Sequence, residues 1–177
     1  SACEMTRTCD EVLGIDFSHA FIRAAGLLKE GNPVPYERCE EAARTTRLVA
    51  RIPMGIDGGR LLFRQGDAMN LPEDLGAFDR VHAANLICRL LDPTRLLERL
   101  PSLVKPGGEL VLATPCTWLE EFTPRNHWPV TNTLDWLSAR LERDFSLLRS
   151  TDEPFLIRET ARKFQWTTSL VTVWHRS

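Results

Sequence analysis

At 177 residues, 43% hydrophobic and 26% charged, the chain is long enough for one domain with a real core and has an ordinary globular composition. A net charge of −2, with Lys and Arg scattered along the sequence, gives no electrostatic case for nucleic acid or a membrane surface as a partner. No apolar run approaches the ~18–20 residues of a membrane span and no signal peptide is visible, so a cytoplasmic protein is expected.

The five cysteines, Cys3, Cys9, Cys39, Cys88 and Cys116, are odd in number and irregularly spaced. With no CxxC pair among them, they argue against a disulfide framework or a zinc site and fit reduced thiols.

In chain order, "SACEMTRTCDEV" reads as the tail of a helix entering a strand. With Ser1 in place of Met, the chain reads as a fragment whose upstream piece has been removed. "EVLGID" is a short apolar run ending on Asp16, the pattern of a buried parallel strand. Ser18 is placed to cap a helix on which Ala20, Phe21, Ala24, Ala25 and Leu28 share a face. "EGNPVPY", Glu30–Tyr36, is a loop by composition, and a polar helix is expected over Glu37–Ala50. "PMGIDGG" is a turn and "RLLFRQGD" a second strand, again ending on an acid. "FDRVHAAN" is a third strand, ending on Asn85. The clearest helix starts at an Asp92 cap with Pro93 in its first turn, and Leu96, Leu97, Leu100, Leu103 and Val104 share one face. "KPGG" ends it, and "ELVLATP" is a fourth strand. Thr133–Glu142 reads as a helix. "FSLLRSTDEPF" and "QWTTSLVTVWHR" read as a final antiparallel strand pair. Alternating strands and helices predict an α/β fold, a mostly parallel sheet with helices on both faces and right-handed crossovers, in a single domain over residues 1–177.

In such sheets ligands bind beyond the carboxyl ends of the strands. The residues there are Asp16, Asp67-Ala68, Asn85 and Thr114-Pro115. An acid after the second strand of a nucleotide-binding unit can accept both ribose hydroxyls. One after the next strand, beside a backbone N–H, can read the amino edge of adenine. Taken singly, each acid is equally well a helix cap or turn residue; taken together at successive strand ends, they favour a nucleoside. A Rossmann-like site also needs a strand and a glycine-rich turn ahead of this point, and no such turn precedes Asp16.

These residues resemble a class I S-adenosylmethionine-dependent methyltransferase. "VLGIDFS" is similar to the family's second motif and "RQGDAMNLP" to its adenine-binding segment. "FDRVHAAN" with "LVKPGGELVLATP" is similar to its fourth-strand and post-helix motifs. "NLICRLLDP", "TPCTWLEEFTPRNHW" and "PFLIRETARKFQW" resemble the C-terminal methyltransferase domains of ovothiol-biosynthesis enzymes, where such a domain follows an iron-dependent sulfoxide synthase. The resemblance implies S-adenosylmethionine as cofactor and methyl transfer to an imidazole nitrogen of 4-mercaptohistidine, a small-molecule substrate. It implies cofactor contacts from Asp16, Phe17, Asp67, Ala68, Asn85 and Leu86.

Methyl transfer from a sulfonium needs alignment and dryness more than a base when the nucleophile is a neutral imidazole nitrogen, so no catalytic triad is expected. Trp118 and Trp128 can wall an aromatic substrate. Glu121, with its neighbour Glu120, and Asn126 and His127 can orient its polar groups. Arg158 can bind a carboxylate as a fork, with Glu159 and Gln165 nearby, and Tyr36 sits in a loop that can close the cleft. Each has a plainer reading, as core filler for the tryptophans and as a solvated face for "RETARK". His82 is read as a packed or semi-buried strand histidine. Three other functions stay open at this point: a methyltransferase for another small metabolite, an inert methyltransferase-like module, and a dehydrogenase.

Overall fold

The computed structural model describes residues 1–177. The chain divides into two compact units, one formed by Ser1–Ala68 with Ile157–Gln165 and the other by Met69–Leu156 with Trp166–Ser177. No helix is long and apolar enough to cross a membrane.

In the first unit, a four-residue helix α1 (Ala2–Met5) leads into β1 (Val12–Asp16), then α2 (His19–Lys29). β1 pairs in parallel with β4 (Leu61–Gln65), in the register Val12↔Leu61 to Asp16↔Gln65. The Ser18 cap forms as its position predicts, with Oγ accepting the Phe21 N–H. The expected apolar face of α2 holds in part: Ala24, Ala25 and Leu28 are partly covered, together with Ile22, Gly26 and Lys29, while Ala20 is exposed and Phe21 is 68% exposed. The Lys29 ammonium donates to the Leu61 carbonyl at 2.9 Å.

The polar helix expected over Glu37–Ala50 is instead a hairpin of β2 (Val34–Glu41) and β3 (Arg44–Ala50). Its chemistry explains why. Thr45, Thr46 and Val49 are β-branched and suit a pleated surface. Arg38 donates to Glu40 at 2.8 Å, an i,i+2 contact that a strand provides and a helix does not.

The second unit holds a four-stranded sheet in the order β5-β6-β8-β7: β5 (Phe78–Ala84), β6 (Val104–Thr114), β7 (Phe145–Arg158) and β8 (Phe164–Arg176). β5 and β6 are parallel, β6 and β8 antiparallel, and β7 with β8 forms the expected C-terminal antiparallel pair. The "KPGG" turn is absorbed into the start of β6. The register slips between Phe78↔Val104 and Arg80↔Glu109. A Cβ on Gly108 would stand 2.8 Å from the Asp79 carbonyl oxygen, so the two backbones approach too closely for any other residue.

Helix α3 (Pro93–Leu103) starts where expected, with Asp92 accepting the Thr94 N–H at 3.0 Å. Helix α4 (Thr133–Leu141) is capped by Asn132. Leu96, Leu97, Leu100 and Leu103 of α3 meet Leu110, Leu112, Leu137, Leu141, Phe145 and Trp174 in a core where each is at most 3% exposed. Burying such side chains stabilises by about 1.5–3 kcal/mol each.

Candidate active site

In the first unit, the carboxyl ends of β1 and β4 lie side by side because the strands are parallel and in register. Asp16 closes β1 and is exposed. One of its carboxylate oxygens accepts the Ser18 N–H at 2.7 Å, which fixes the side chain and leaves the second oxygen outward. The ladder runs one step further, from the Gly66 N–H to the Asp16 carbonyl at 3.1 Å. The Gln65 amide ties the other turn by donating to the Phe17 carbonyl at 3.2 Å. Phe17 is 72% exposed, while Asp67 and Ala68 are half-buried just after β4. Four of the six expected cofactor residues therefore cluster here: an oriented carboxylate, an aromatic face, a second acid and a backbone turn.

Two residues assigned to the substrate also fall in this unit. Tyr36 lies on β2, about half exposed. Arg158 stands at the β7–β8 turn, where its Nε donates to the Thr160 carbonyl at 3.0 Å and its Nη2 to the Ala161 carbonyl at 3.1 Å. Its guanidinium stacks 5.4 Å from the Phe164 ring. The fork read as a carboxylate clamp is thus occupied with closing its own hairpin.

In the second unit, β5 and β6 end in backbone turns of unusual shape. Asn85 (φ 53°) and Cys116 (φ 54°) both adopt the left-handed region. The Asn85 N–H donates to the Ala113 carbonyl at 2.7 Å, and its side-chain oxygen accepts the Ser169 hydroxyl at 3.0 Å. Leu86 follows, half-buried, at the head of the Ile87–Arg89 turn.

Arg89, which sequence reasoning did not single out, stitches the two post-strand segments together. It donates to the Thr117 carbonyl at 2.6 Å and the Thr117 hydroxyl at 3.0 Å, and lies 4.9 Å from the Phe122 ring. Only its place four residues after a strand-end Asn could have hinted at this.

The segment after β6 builds a cavity of about 430 Å³ lined by Trp118, Trp128, Cys116, Asn132, Asp152 and Leu170, among others. The tryptophan edges are tied off: Trp118 Nε1 donates to the Thr133 hydroxyl at 3.3 Å and Trp128 Nε1 to the Thr123 carbonyl at 2.7 Å. Trp118 also meets Trp136 edge to face, centroids 5.7 Å apart. Burial pushes the Cys116 thiol up, so it is held as a neutral thiol.

The other expected polar groups do not line this cavity. Glu121 and Asn126 are exposed. Glu120 pairs with Arg125 at 2.7 Å, and Arg125 lies over Trp128. His127 faces Asp92 at 3.3 Å. The hydrogen bond from the Thr94 hydroxyl, with help from His127 and Arg95, holds the Asp92 carboxyl below the usual carboxylate range. His82 lies on β5 with its surface largely accessible, yet enough of the ring is covered that burial lowers its pKa from the usual imidazole value.

With that geometry in place, the comparisons are these. The methyltransferase domain family matches residues 1–112. No curated protein matches the chain. Among solved structures it is similar to the N-methyltransferase NodS from Bradyrhizobium japonicum WM9, at 13% identity and a TM-score of 0.59 over 98% of this chain and 78% of that one. NodS has also been crystallised with S-adenosyl-L-homocysteine. A SAM-dependent methyltransferase from Methanosarcina mazei is 15% identical, with a TM-score of 0.60 over 94% of this chain and 82% of that one. A structure describing conversion of a disulfide bond into a thioacetal group during echinomycin biosynthesis gives 14% identity and a TM-score of 0.61, and this chain spans 66% of its length. At such identities the likeness speaks to the fold.

Proposed function

The chain belongs to the methyltransferase domain family, and from that premise we propose that it is an S-adenosylmethionine-dependent N-methyltransferase acting on an imidazole nitrogen of 4-mercaptohistidine, with residues 1–177 working as a single methyltransferase domain. The observation that carries the cofactor is Asp16. It stands at the carboxyl end of a parallel strand, one oxygen held by Ser18 and the other free, as two vicinal ribose hydroxyls require. Phe17 offers an exposed ring for the adenine face. Asp67 and the Ala68 backbone stand at the neighbouring strand end.

S-adenosylmethionine, when bound, supplies an electrophilic methyl group on a sulfonium. The chain's own part is to orient the acceptor and exclude water. Trp118 and Trp128 do this in the second unit. Their indole N–H groups are committed elsewhere, so what they contribute to the cavity is apolar ring surface that fits a flat imidazole. No charged base lines the cavity except Asp152, which agrees with an acceptor nitrogen that reacts through its own lone pair. The sequence resemblance to ovothiol-type domains supports the thiol-histidine.

The test is calorimetry of S-adenosylmethionine binding, followed by radiolabelled methyl transfer to 4-mercaptohistidine and a panel of other small acceptors. Asp16→Asn keeps an acceptor for the Ser18 N–H while removing the charge and turning the second oxygen into an amide donor. It should weaken the cofactor by about 10- to 100-fold, the weight of a charge-assisted hydrogen bond. Equal affinity in the variant overturns the site. Preference for an unrelated acceptor overturns the substrate and leaves the class standing.

A further inference from the structure

The cavity of the second unit carries one charge, that of Asp152 on β7. No arginine or lysine pairs with it. Its neighbours Thr151 and Glu153 hydrogen-bond to each other instead, at 3.2 Å. The carboxylate therefore lines the same cavity as Trp118 and Trp128 with no counter-ion of its own; the Trp128 ring already has the Arg125 guanidinium over it, which leaves Trp118. A tryptophan face attracts a cation, and does so more strongly than the other aromatic rings. An anion and the Trp118 ring lining one cavity are complementary to an ammonium group and disfavour a carboxylate.

We infer that Asp152 is the specificity-determining residue of this cavity and that it selects an acceptor bearing a primary ammonium group alongside a flat ring. This deepens the methyltransferase proposal and rests on it for the identity of the reaction, since 4-mercaptohistidine carries an α-ammonium group. The recognition itself depends only on Asp152 and Trp118.

All five tryptophans lie in the second unit, so their fluorescence reports on this cavity directly. The probes are histamine, an imidazole with an ammonium tail, and imidazolepropionate, the same ring with an anionic tail, titrated at pH 8 in low salt. The wild type should bind histamine roughly 5- to 20-fold more tightly than imidazolepropionate, the combined weight of a partly exposed ion pair and a cation–π contact. The preference should shrink as salt rises, because an accessible pair is screened.

Asp152→Asn should bring the two affinities together, and Asp152→Glu should keep part of the difference. Catalytic turnover offers a second readout: in Asp152→Asn, KM for 4-mercaptohistidine should rise by the same factor while kcat and cofactor affinity hold. Equal wild-type affinities, or a preference that survives in Asp152→Asn, overturn the inference. Should the thiol-histidine prove not to be methylated while the probe preference still collapses in Asp152→Asn, the substrate proposal fails and the ammonium site stands.

Discussion

Thr123 offers the sharpest test of how the cavity wall is held. Its side chain is fully buried, and its hydroxyl donates to the Leu90 carbonyl at 2.7 Å. Its own carbonyl accepts the Trp128 indole N–H, also at 2.7 Å. A single residue therefore joins the segment after β5 to the segment after β6 and sets the height of one tryptophan wall. Thr123→Val has nearly the same shape, so it opens no cavity. It removes only the hydroxyl, leaving the carbonyl of buried Leu90 without that donor. Losing one partner of a buried hydrogen bond costs about 1–3 kcal/mol, and a Thr-to-Val change is not neutral for this reason. With a urea slope of roughly 1–3 kcal/mol per molar, the midpoint should fall by about 1 M with the slope unchanged. Tryptophan emission follows it, since all five tryptophans lie in this unit. Thr123→Ser, which keeps the hydroxyl, should recover most of the loss. A Thr123→Val midpoint equal to wild type, or a serine variant as weak as the valine one, would refute the assignment of the hydroxyl as the anchor.

Gly58→Ala should loosen the first unit alone, because the added Cβ would sit 2.0 Å from the Lys29 carbonyl oxygen and overpacking against backbone costs about 1–3 kcal/mol. Amide exchange in β1, α2 and β4 should speed up while the protected amides of β6 and α3 stay as they are. Asp92 gives a pH signature. Its folded pKa is depressed, so its contribution is complete above the unfolded value of about 3.9 and drains away as pH falls through the lower folded one. In Asp92→Asn, which still caps the helix, the urea midpoint of the second unit should vary less below about pH 4 than in wild type.

Elements were legible where one local rule decided them. β1 declared itself by an apolar run stopped by an acid, and α3 by Asp92, Pro93 and four leucines at helical spacing. The β2–β3 hairpin was not legible, because "ERCEEAARTTR" is rich in helix formers and its outcome rests on cross-strand pairs such as Tyr36↔Leu48 that no local window contains. The proposed site divides the same way. Asp16 could be read because a strand-end acid is a local pattern. Arg89 could not, since its partner Thr117 is 28 residues away. Asp152 could not either, because only the fold brings β7 beside Trp118. For Arg158 the reverse holds: the carbonyls that engage it are only two and three residues further on, in a turn that a motif-based reading does not resolve.

What the second unit preserves at its strand ends is backbone shape rather than a reactive side chain. Of the three non-glycine residues with positive φ, Ala42 sits in a hairpin turn, while Asn85 and Cys116 end the neighbouring parallel strands β5 and β6. The left-handed conformation costs about 1–2 kcal/mol; asparagine tolerates it better than cysteine does, and glycine at either place would relieve it. Buried hydroxyls hold both turns instead. Ser169 binds the Asn85 side chain, and the Thr114 hydroxyl accepts the Cys116 N–H at 3.2 Å. Strain confined to two adjacent strand ends, and compensated by buried groups, marks where the chain must leave the sheet at a fixed angle. From Cys116 that departure carries the chain to Trp118 two residues later, so the wall of the cavity is aimed by the turn. The proposed methyl transfer, whose acceptor brings its own lone pair, asks for this kind of aim.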